Sequence, residues 1–225
     1  MLKINLLISI LFTAFVCFSQ EDDLDVRGRF GVEVLYGECH LQSLEPTHAN
    51  GFKLFFKGEV QNLLMIGCGV SSIKSNRFET KIIEDGVIVH EQYRIKNNSF
   101  FTSFELKHAF HFFSIYGGVE LHLGLNKTSI NNYVQYASYE GTDKYISQTI
   151  KNPGQLSYAF VPKAGFSFTF DDFFSLKAGY AYTPINIVPI PFTNNTPFGR
   201  KSIRVSSVFI GIELIIPNKK SYPEG

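Results

Sequence analysis

From Leu156 to Thr183 the chain reads LSYAFVPKAGFSFTF-DD-FFSLKAGYAYT, and its polarity changes at nearly every residue. In the first arm Leu156, Tyr158, Phe160, Ala164, Phe166, Phe168 and Phe170 are mostly bulky and apolar. They alternate with Ser157, Ala159, Lys163, Gly165, Ser167 and Thr169. The second arm sets Phe174, Leu176, Ala178, Tyr180 and Tyr182 against Ser175, Lys177, Gly179 and Thr183. A period of two belongs to a strand whose two faces meet different surroundings. Each arm exceeds the roughly 9–11 residues that a tilted strand needs to cross a bilayer, and one face carries no charge. The stretch predicts two membrane-crossing strands joined at Asp171-Asp172.

The same alternation recurs along the chain. Phe30, Val32, Val34 and Tyr36 oppose Arg29, Gly31, Glu33 and Leu35. Phe52, Leu54 and Phe56 oppose Lys53, Lys57 and Glu59; after a tight turn at Gln61-Asn62, Leu64, Ile66, Cys68 and Val70 oppose Met65, Gly67, Gly69 and Ser71. Phe100, Phe104 and Leu106 face away from Ser103, Glu105 and Lys107, and the chain turns near His108 to Phe112. Ile115, Val119, Leu121, Leu123 and Leu125 then alternate with Tyr116, Gly118, Glu120, His122, Gly124 and Asn126. The last run sets Val208, Ile210, Ile212 and Leu214 against Ser207, Gly211 and Glu213, and Pro217 ends it. These runs predict an all-β fold, an eight-stranded antiparallel up-and-down transmembrane β-barrel over residues 28–216. Its connections alternate long and short: 38–50, 61–62, 72–99, 108–112, 127–155, 171–172 and 184–200. Short turns at one end and long loops at the other are the pattern of outer-membrane barrels.

The stretch 72–99 admits two readings. Glu84-Asp85-Gly86 is a hairpin signal between two apolar runs. Phe78 to Ile83 is too short to cross, and Glu91 shares a face with Val87, Val89 and Tyr93, so the hairpin is expected to project beyond the membrane. A ten-stranded barrel is the alternative. Phe110, Phe112, Phe113, Phe170, Phe173 and Phe174 flank two short turns, where an aromatic girdle would sit.

The ends of the chain set the compartment. Lys3 precedes an uncharged run from Ile4 to Phe18, too short for a transmembrane helix and suited to a secretory signal peptide over residues 1–19. Cys17 also raises a lipoprotein reading, although Phe15 and Val16 stand where small residues are usual. An acidic, flexible segment is expected over 20–27 and a short periplasmic tail over 217–225. Composition then narrows the class. Loss of Lys3 from 21 basic residues balances the 20 acidic ones, and no basic block exceeds Lys219-Lys220, so no nucleic-acid footprint is present. Cys39 and Cys68 are expected as free thiols, because a whole strand separates them.

This pattern resembles the eight-stranded outer-membrane β-barrel family of Gram-negative bacteria, the OmpX-like and OmpA-membrane-domain group, over Gly28 to Ile216. The resemblance implies residence in the outer membrane, with outer-membrane lipid and the barrel-assembly machinery as partners. Two features depart from it. Such barrels commonly close on an aromatic residue, whereas here Phe209 sits well inside and Pro217 with a polar tail follows; no periplasmic domain is expected after it, so the peptidoglycan-anchoring role of full-length relatives is not carried over.

The polar faces gather Arg29, Glu33, Lys53, Lys57, Glu59, Glu105, Lys107, Glu120, His122, Lys163, Lys177 and Glu213. A barrel of eight strands is just wide enough for its side chains to fill it. These charges are therefore expected to meet in a salt-bridged, non-conducting lumen, with a narrow proton or ion path, or a pH-sensitive network around His122, as the alternative. In a soluble barrel the same faces would be reversed, with the charges outside.

Enzymatic motifs are sparse. Some eight-stranded barrels modify lipids with a serine, a histidine base and an acid. Of the histidines His40, His48, His90, His108, His111 and His122, His40 and His48 are expected in an outer loop near Ser43 and Glu45. Gly165-Phe166-Ser167 lacks the second glycine of a nucleophile elbow, and Gly67-Cys68-Gly69 lacks a following helix. No metal-binding or cofactor motif occurs, and the protein is expected to be non-enzymatic with no cofactor. Tyr133, Tyr136, Tyr139 and Tyr145, in the stretch 127–155, and the hairpin at Asp85-Gly86 are the candidate contacts for an extracellular or envelope protein, since aromatic side chains offer contact area at low entropic cost. An accessory role in a secretion or assembly machine, of the PorT type, is a further possibility.

Overall fold

The computed structural model describes residues 26–41, 44–61, 63–84, 87–136, 144–151, 154–170, 173–188 and 202–216. The expected signal segment, the tail and most of the N-terminal segment lie outside these residues. The strands are β1 (Val26–Leu41), β2 (Thr47–Val60), β3 (Leu64–Ser75), β4 (Phe78–Glu84) and β5 (Val87–Phe110). They continue as β6 (Phe113–Tyr136), β7 (Lys144–Lys151), β8 (Gln155–Phe170), β9 (Phe174–Ile187) and β10 (Ser202–Ile216). All pairings are antiparallel.

Eight strands close the barrel. The order runs β5-β3-β2-β1-β10-β9-β8-β6, and β5 pairs with β6 to complete the ring. Closure leaves these strands no free edge, as a span through lipid requires. The other two strands stay outside the ring: β4 pairs with β5 over Val87 to Tyr93, and β7 pairs with β6 over Ser129 to Tyr136. Because β5 and β6 are each 24 residues long and remain paired from Phe110↔Phe113 to Ile88↔Gln135, they run well past the barrel rim. With β4 and β7 they form a four-stranded sheet projecting from the end opposite the short turns. The turn residues Asp85 and Gly86, between β4 and β5, lie outside the described residues, and the ten-stranded ring is ruled out by the direct β5–β6 pairing.

Much of what reads as loop in the sequence is strand. β6 continues from Lys127 to Tyr136 and β7 covers Lys144–Lys151, replacing most of the long loop expected over 127–155. Residues 127–136, KTSINNYVQY, lack a clean apolar alternation, so their strand state comes from pairing with β5 and β7. Likewise β1 extends to Leu41 and β2 begins at Thr47, which shortens the first long connection. The short turns are sharp: Gln61 and His111 both take positive φ, 51° and 28°, in the reversals after β2 and β5.

Around the barrel wall the bulky apolar positions point outward. Val34, Leu123, Phe160, Val208 and Ile210 are all more than half exposed, Ile210 the most at 68%. Val208 to Ile216 covers about 27 Å along its strand, and a tilt near 40° leaves roughly 20 Å of height, close to the apolar band of an outer-membrane barrel. Phenylalanines gather at the turn end, where Phe110 stacks on Phe113 with centroids 5.5 Å apart and Phe170 on Phe174 at 5.0 Å.

Polarity reverses above this band. Outward positions become Glu38, His48, Asn50, Lys74, Lys96, Lys127 and Arg204, while the inward ones become apolar. Cys39, Leu41, Ala49, Ile73, Phe78, Tyr93, Ile95, Ile185, Ile203 and Val205 pack into a cap across the top of the lumen. The upper barrel thus has the polarity of a soluble β domain and the lower barrel its inverse, and the level at which they exchange marks the membrane surface.

Candidate functional site

The most concentrated chemistry lies beneath that cap. Every one of the twelve residues from Arg29 to Glu213 gathered above on the polar faces is buried inside the barrel. Among the described residues, six cationic side chains and His122 face five buried carboxylates. Period-two geometry brings them there: each sits at an inward position of a strand, and the outward neighbours are apolar except for His108 beside Lys107.

The network is continuous. Near the turn end Arg29 on β1 donates through Nε to Glu59 Oε2 at 2.6 Å and through Nη1 to Glu213 Oε2 at 3.1 Å. Lys107 on β5 donates to the other oxygen of Glu59. One layer up, Lys177 donates to Glu213 Oε1 at 2.9 Å and approaches Glu105 at 3.5 Å. Glu105 also pairs with Lys57 at 2.7 Å and with Lys163 at 2.6 Å. Lys163 reaches up to Glu120 at 2.7 Å, and Lys53 donates to Glu120 Oε2 at 2.6 Å. Glu33 is the least engaged, with Lys163 at 3.9 Å.

Aromatic faces complete the solvation of the lysines. Lys177 Nζ lies 4.0 Å from the centroid of Tyr116, and Lys57 Nζ 4.2 Å from that of Phe55. β3 contributes space in place of charge, since a Cβ on Gly67 would come within 2.4 Å of the Lys57 side chain. Burying an ion is costly unless its partners are close and numerous. Here four of the five carboxylates have at least two cations within salt-bridge distance, and the chains of contact cross the lumen between facing strands.

One arrangement inside the lumen was not visible as a motif. Ser99 Oγ lies 2.9 Å from His122 Nδ1, and His122 Nε2 lies 2.8 Å from Glu120 Oε2. This is the connectivity of a nucleophile, a base and an orienting acid. Ser99 and His122 stand on adjacent strands, 23 residues apart, so only the β5–β6 register brings them together. The surroundings do not favour chemistry. Ser99 is buried beneath the apolar cap, His122 is stacked on Phe101 with centroids 5.0 Å apart, and Glu120 is held by two lysines. A substrate would have to displace the cap or the ion network to reach the hydroxyl.

The rim histidines are arranged differently. His40 Nε2 lies 3.5 Å from Glu38, both well exposed, and His48 stacks on Tyr36 at 5.6 Å. Ser43 lies outside the described residues. Of the four tyrosines, Tyr133 and Tyr136 fall on β6 and Tyr145 on β7, within the projecting sheet, and Tyr139 lies outside the described residues. Gln135 and Tyr145 are register partners across β6 and β7. Cys39 and Cys68 are free thiols on β1 and β3, with β2 between them. Among the described residues no three His, Cys, Asp or Glu side chains are placed to hold a metal ion.

No protein-family model matches the chain, and no curated protein matches it. Solved structures with a similar fold do exist. Ail, the attachment invasion locus protein of Yersinia pestis, is 16% identical, with 85% of this chain and 99% of that one covered and a TM-score of 0.41. Neisserial surface protein A is 15% identical, covering 83% and 96%, with a TM-score of 0.48. OprG of Pseudomonas aeruginosa is 11% identical, covering 86% and 97%, with a TM-score of 0.40. These likenesses concern architecture only. The closed ring of eight strands, apolar outside and charged within, is the architecture of an eight-stranded transmembrane β-barrel.

Proposed function

We infer that the protein is a sealed, non-catalytic barrel whose work is done by what it displays outside the membrane, through contact with an extracellular or envelope protein. The observation that carries this reading is the four-stranded sheet of β4, β5, β6 and β7. A barrel needs no such extension to be stable, and among the described residues β4 pairs only with β5 and β7 only with β6. Two unpaired strand edges held clear of the membrane offer backbone donors and acceptors that an extended segment of a partner can complete. Tyr133 and Tyr136 on β6 and Tyr145 on β7 place aromatic residues in the same sheet.

The lumen supports the same reading from the other side. An ion network filling the middle and an apolar cap above it leave conduction and catalysis without a route for solute or substrate. A photo-crosslinking residue placed in living cells at position 81 on β4 or 148 on β7 tests the proposal. A discrete protein adduct at these sites, absent when the same group replaces Leu214 on the barrel wall, is expected. Equal labelling at all three positions, or stable ion channels from the purified protein in planar bilayers, would overturn it.

A further inference from the structure

Three lysines far apart in sequence fall into one lateral row on the outside of the barrel. Lys74 on β3 is the register partner of Lys96 on β5, and Lys96 is the partner of Lys127 on β6. All three are exposed and outward-facing. Residues directly opposite in a sheet have Cβ atoms about 4.5–5.5 Å apart, and like charges in that relation are destabilising. Their other neighbours in the row are Asn50, the partner of Lys74, and Gly154, beside the Lys127 side chain. One row higher stands Arg94, paired with Ser129. Among the described residues no carboxylate forms an ion pair with any of these cations.

What lies below the row is equally specific. The next outward row consists of Ser72, Asn98 and Leu125, with Ser72 Oγ hydrogen-bonded to Asn98 Oδ1 at 2.8 Å. Below that come Val70, Phe100 and Leu123. The short side chains of Ser72 and Asn98 leave a groove between Phe52, Leu125 and the aromatic and aliphatic row beneath, and Lys96 and Lys127 form its upper lip. From bottom to top the surface is hydrocarbon, then hydroxyl and amide, then ammonium. That is the order of acyl chain, linkage region and phosphate in a lipid lying against the wall. Elsewhere at this level the outward positions are neutral or of mixed sign, with Glu38 on β1, Pro184 and Asn186 on β9 and Arg204 on β10.

We propose that this sector of β3, β5 and β6 binds an anionic, phosphate-bearing lipid of the outer leaflet. Its phosphate is held by Lys74, Lys96 and Lys127, and an acyl chain lies in the groove over Phe100 and Leu123. The lipid supplies the counter-charge that the sheet register withholds. It would also place an immobilised lipid at the base of the projecting sheet, holding that sheet at a fixed height above the membrane.

The test uses folded full-length protein in neutral detergent, titrated with lipid A and read by native mass spectrometry. A one-to-one adduct is expected for the wild type. The Lys74→Gln/Lys96→Gln/Lys127→Gln variant should bind on the order of a hundredfold more weakly, about fivefold for each lysine removed. Lys96→Gln alone serves if the triple variant folds poorly, and Arg204→Gln, a cation lost on the far side of the ring, should bind like the wild type. Lipid A stripped of its phosphates should bind as weakly to wild type as intact lipid A does to the triple variant. Unchanged binding by the lysine variants, equal loss in Arg204→Gln, equal affinity for dephosphorylated lipid, or full displacement by inorganic phosphate would each overturn the proposal.

Discussion

Glu105 is the most heavily shared carboxylate in the lumen, and replacing it with glutamine is the sharpest test of whether the interior is truly closed. Three lysines converge on it: Lys57 at 2.7 Å, Lys163 at 2.6 Å and Lys177 at 3.5 Å. All three are buried, as is Glu105 itself. Glutamine keeps the size and one acceptor but removes the charge, leaving Lys57 with Glu213 at 3.7 Å as its remaining ion partner. Breaking a buried pair by removing one member costs about 3–5 kcal/mol, because the orphaned charge stays out of water. With a urea dependence of roughly 1–3 kcal/mol per molar for a small protein, the unfolding midpoint should fall by on the order of 2 M. The assay is urea unfolding in neutral lipid vesicles, followed by the difference in gel mobility between folded and boiled barrel. Glu33→Gln should cost distinctly less, since only Lys163 at 3.9 Å depends on it. Adding Lys57→Met to the Glu105 variant should recover part of the loss, by about 1–3 kcal/mol of coupling. The exposed Glu38→Gln should stay within about 0.5 kcal/mol. A Glu105→Gln effect no larger than that of Glu38→Gln would mean that water already screens the lysines, and the sealed-lumen argument would fail.

Ile210, 68% exposed on β10, should resist charge for the opposite reason. Ile210→Arg is expected to cost about 2–4 kcal/mol when unfolding is measured from lipid vesicles, and a neutral result would place that face in water. Gly179→Val should abolish the folded, heat-modifiable band, because a Cβ there would stand 2.3 Å from the Ala164 carbonyl and 2.6 Å from the Phe209 ring. Wild-type mobility in that variant would show the barrel wall to be looser than the register implies. Ser99→Ala removes one buried hydrogen bond to His122 and should lower stability by about 1 kcal/mol. Mass spectra of the envelope lipids should be identical with either protein; an acyl pattern that depends on Ser99 would make the buried serine, histidine and glutamate a working site.

Much of the architecture was readable because a barrel wall is written with a period of two. The alternation of Phe30, Val32, Val34 and Tyr36 with charged or small residues assigns each position to a face, and seven similar runs assign eight strands. It also groups the twelve ionisable residues from Arg29 to Glu213 on one surface. What alternation cannot say is which surface is inside, since a soluble barrel uses the same code reversed. Only closure of the ring, through the β5–β6 pairing, makes the charged face the lumen. Polar strand is hidden for a related reason. In KTSINNYVQY neither face is apolar, so nothing local distinguishes strand from loop until neighbouring strands supply hydrogen-bond partners.

Register accounts for the rest. The sequence by itself determined the strands of the membrane wall, their faces and the short turns at one end, because those follow from side-chain period and chain length. The tertiary structure decided what stands beside what: Lys74 beside Lys96 and Lys127, Ser99 beside His122, and an apolar cap drawn from seven strands. Such neighbours are tens of residues apart, and a slip of one residue in any pairing would turn every side chain of that strand to the other face. The spacing of charges along the chain carries no record of that alignment; it exists only once the ring has closed.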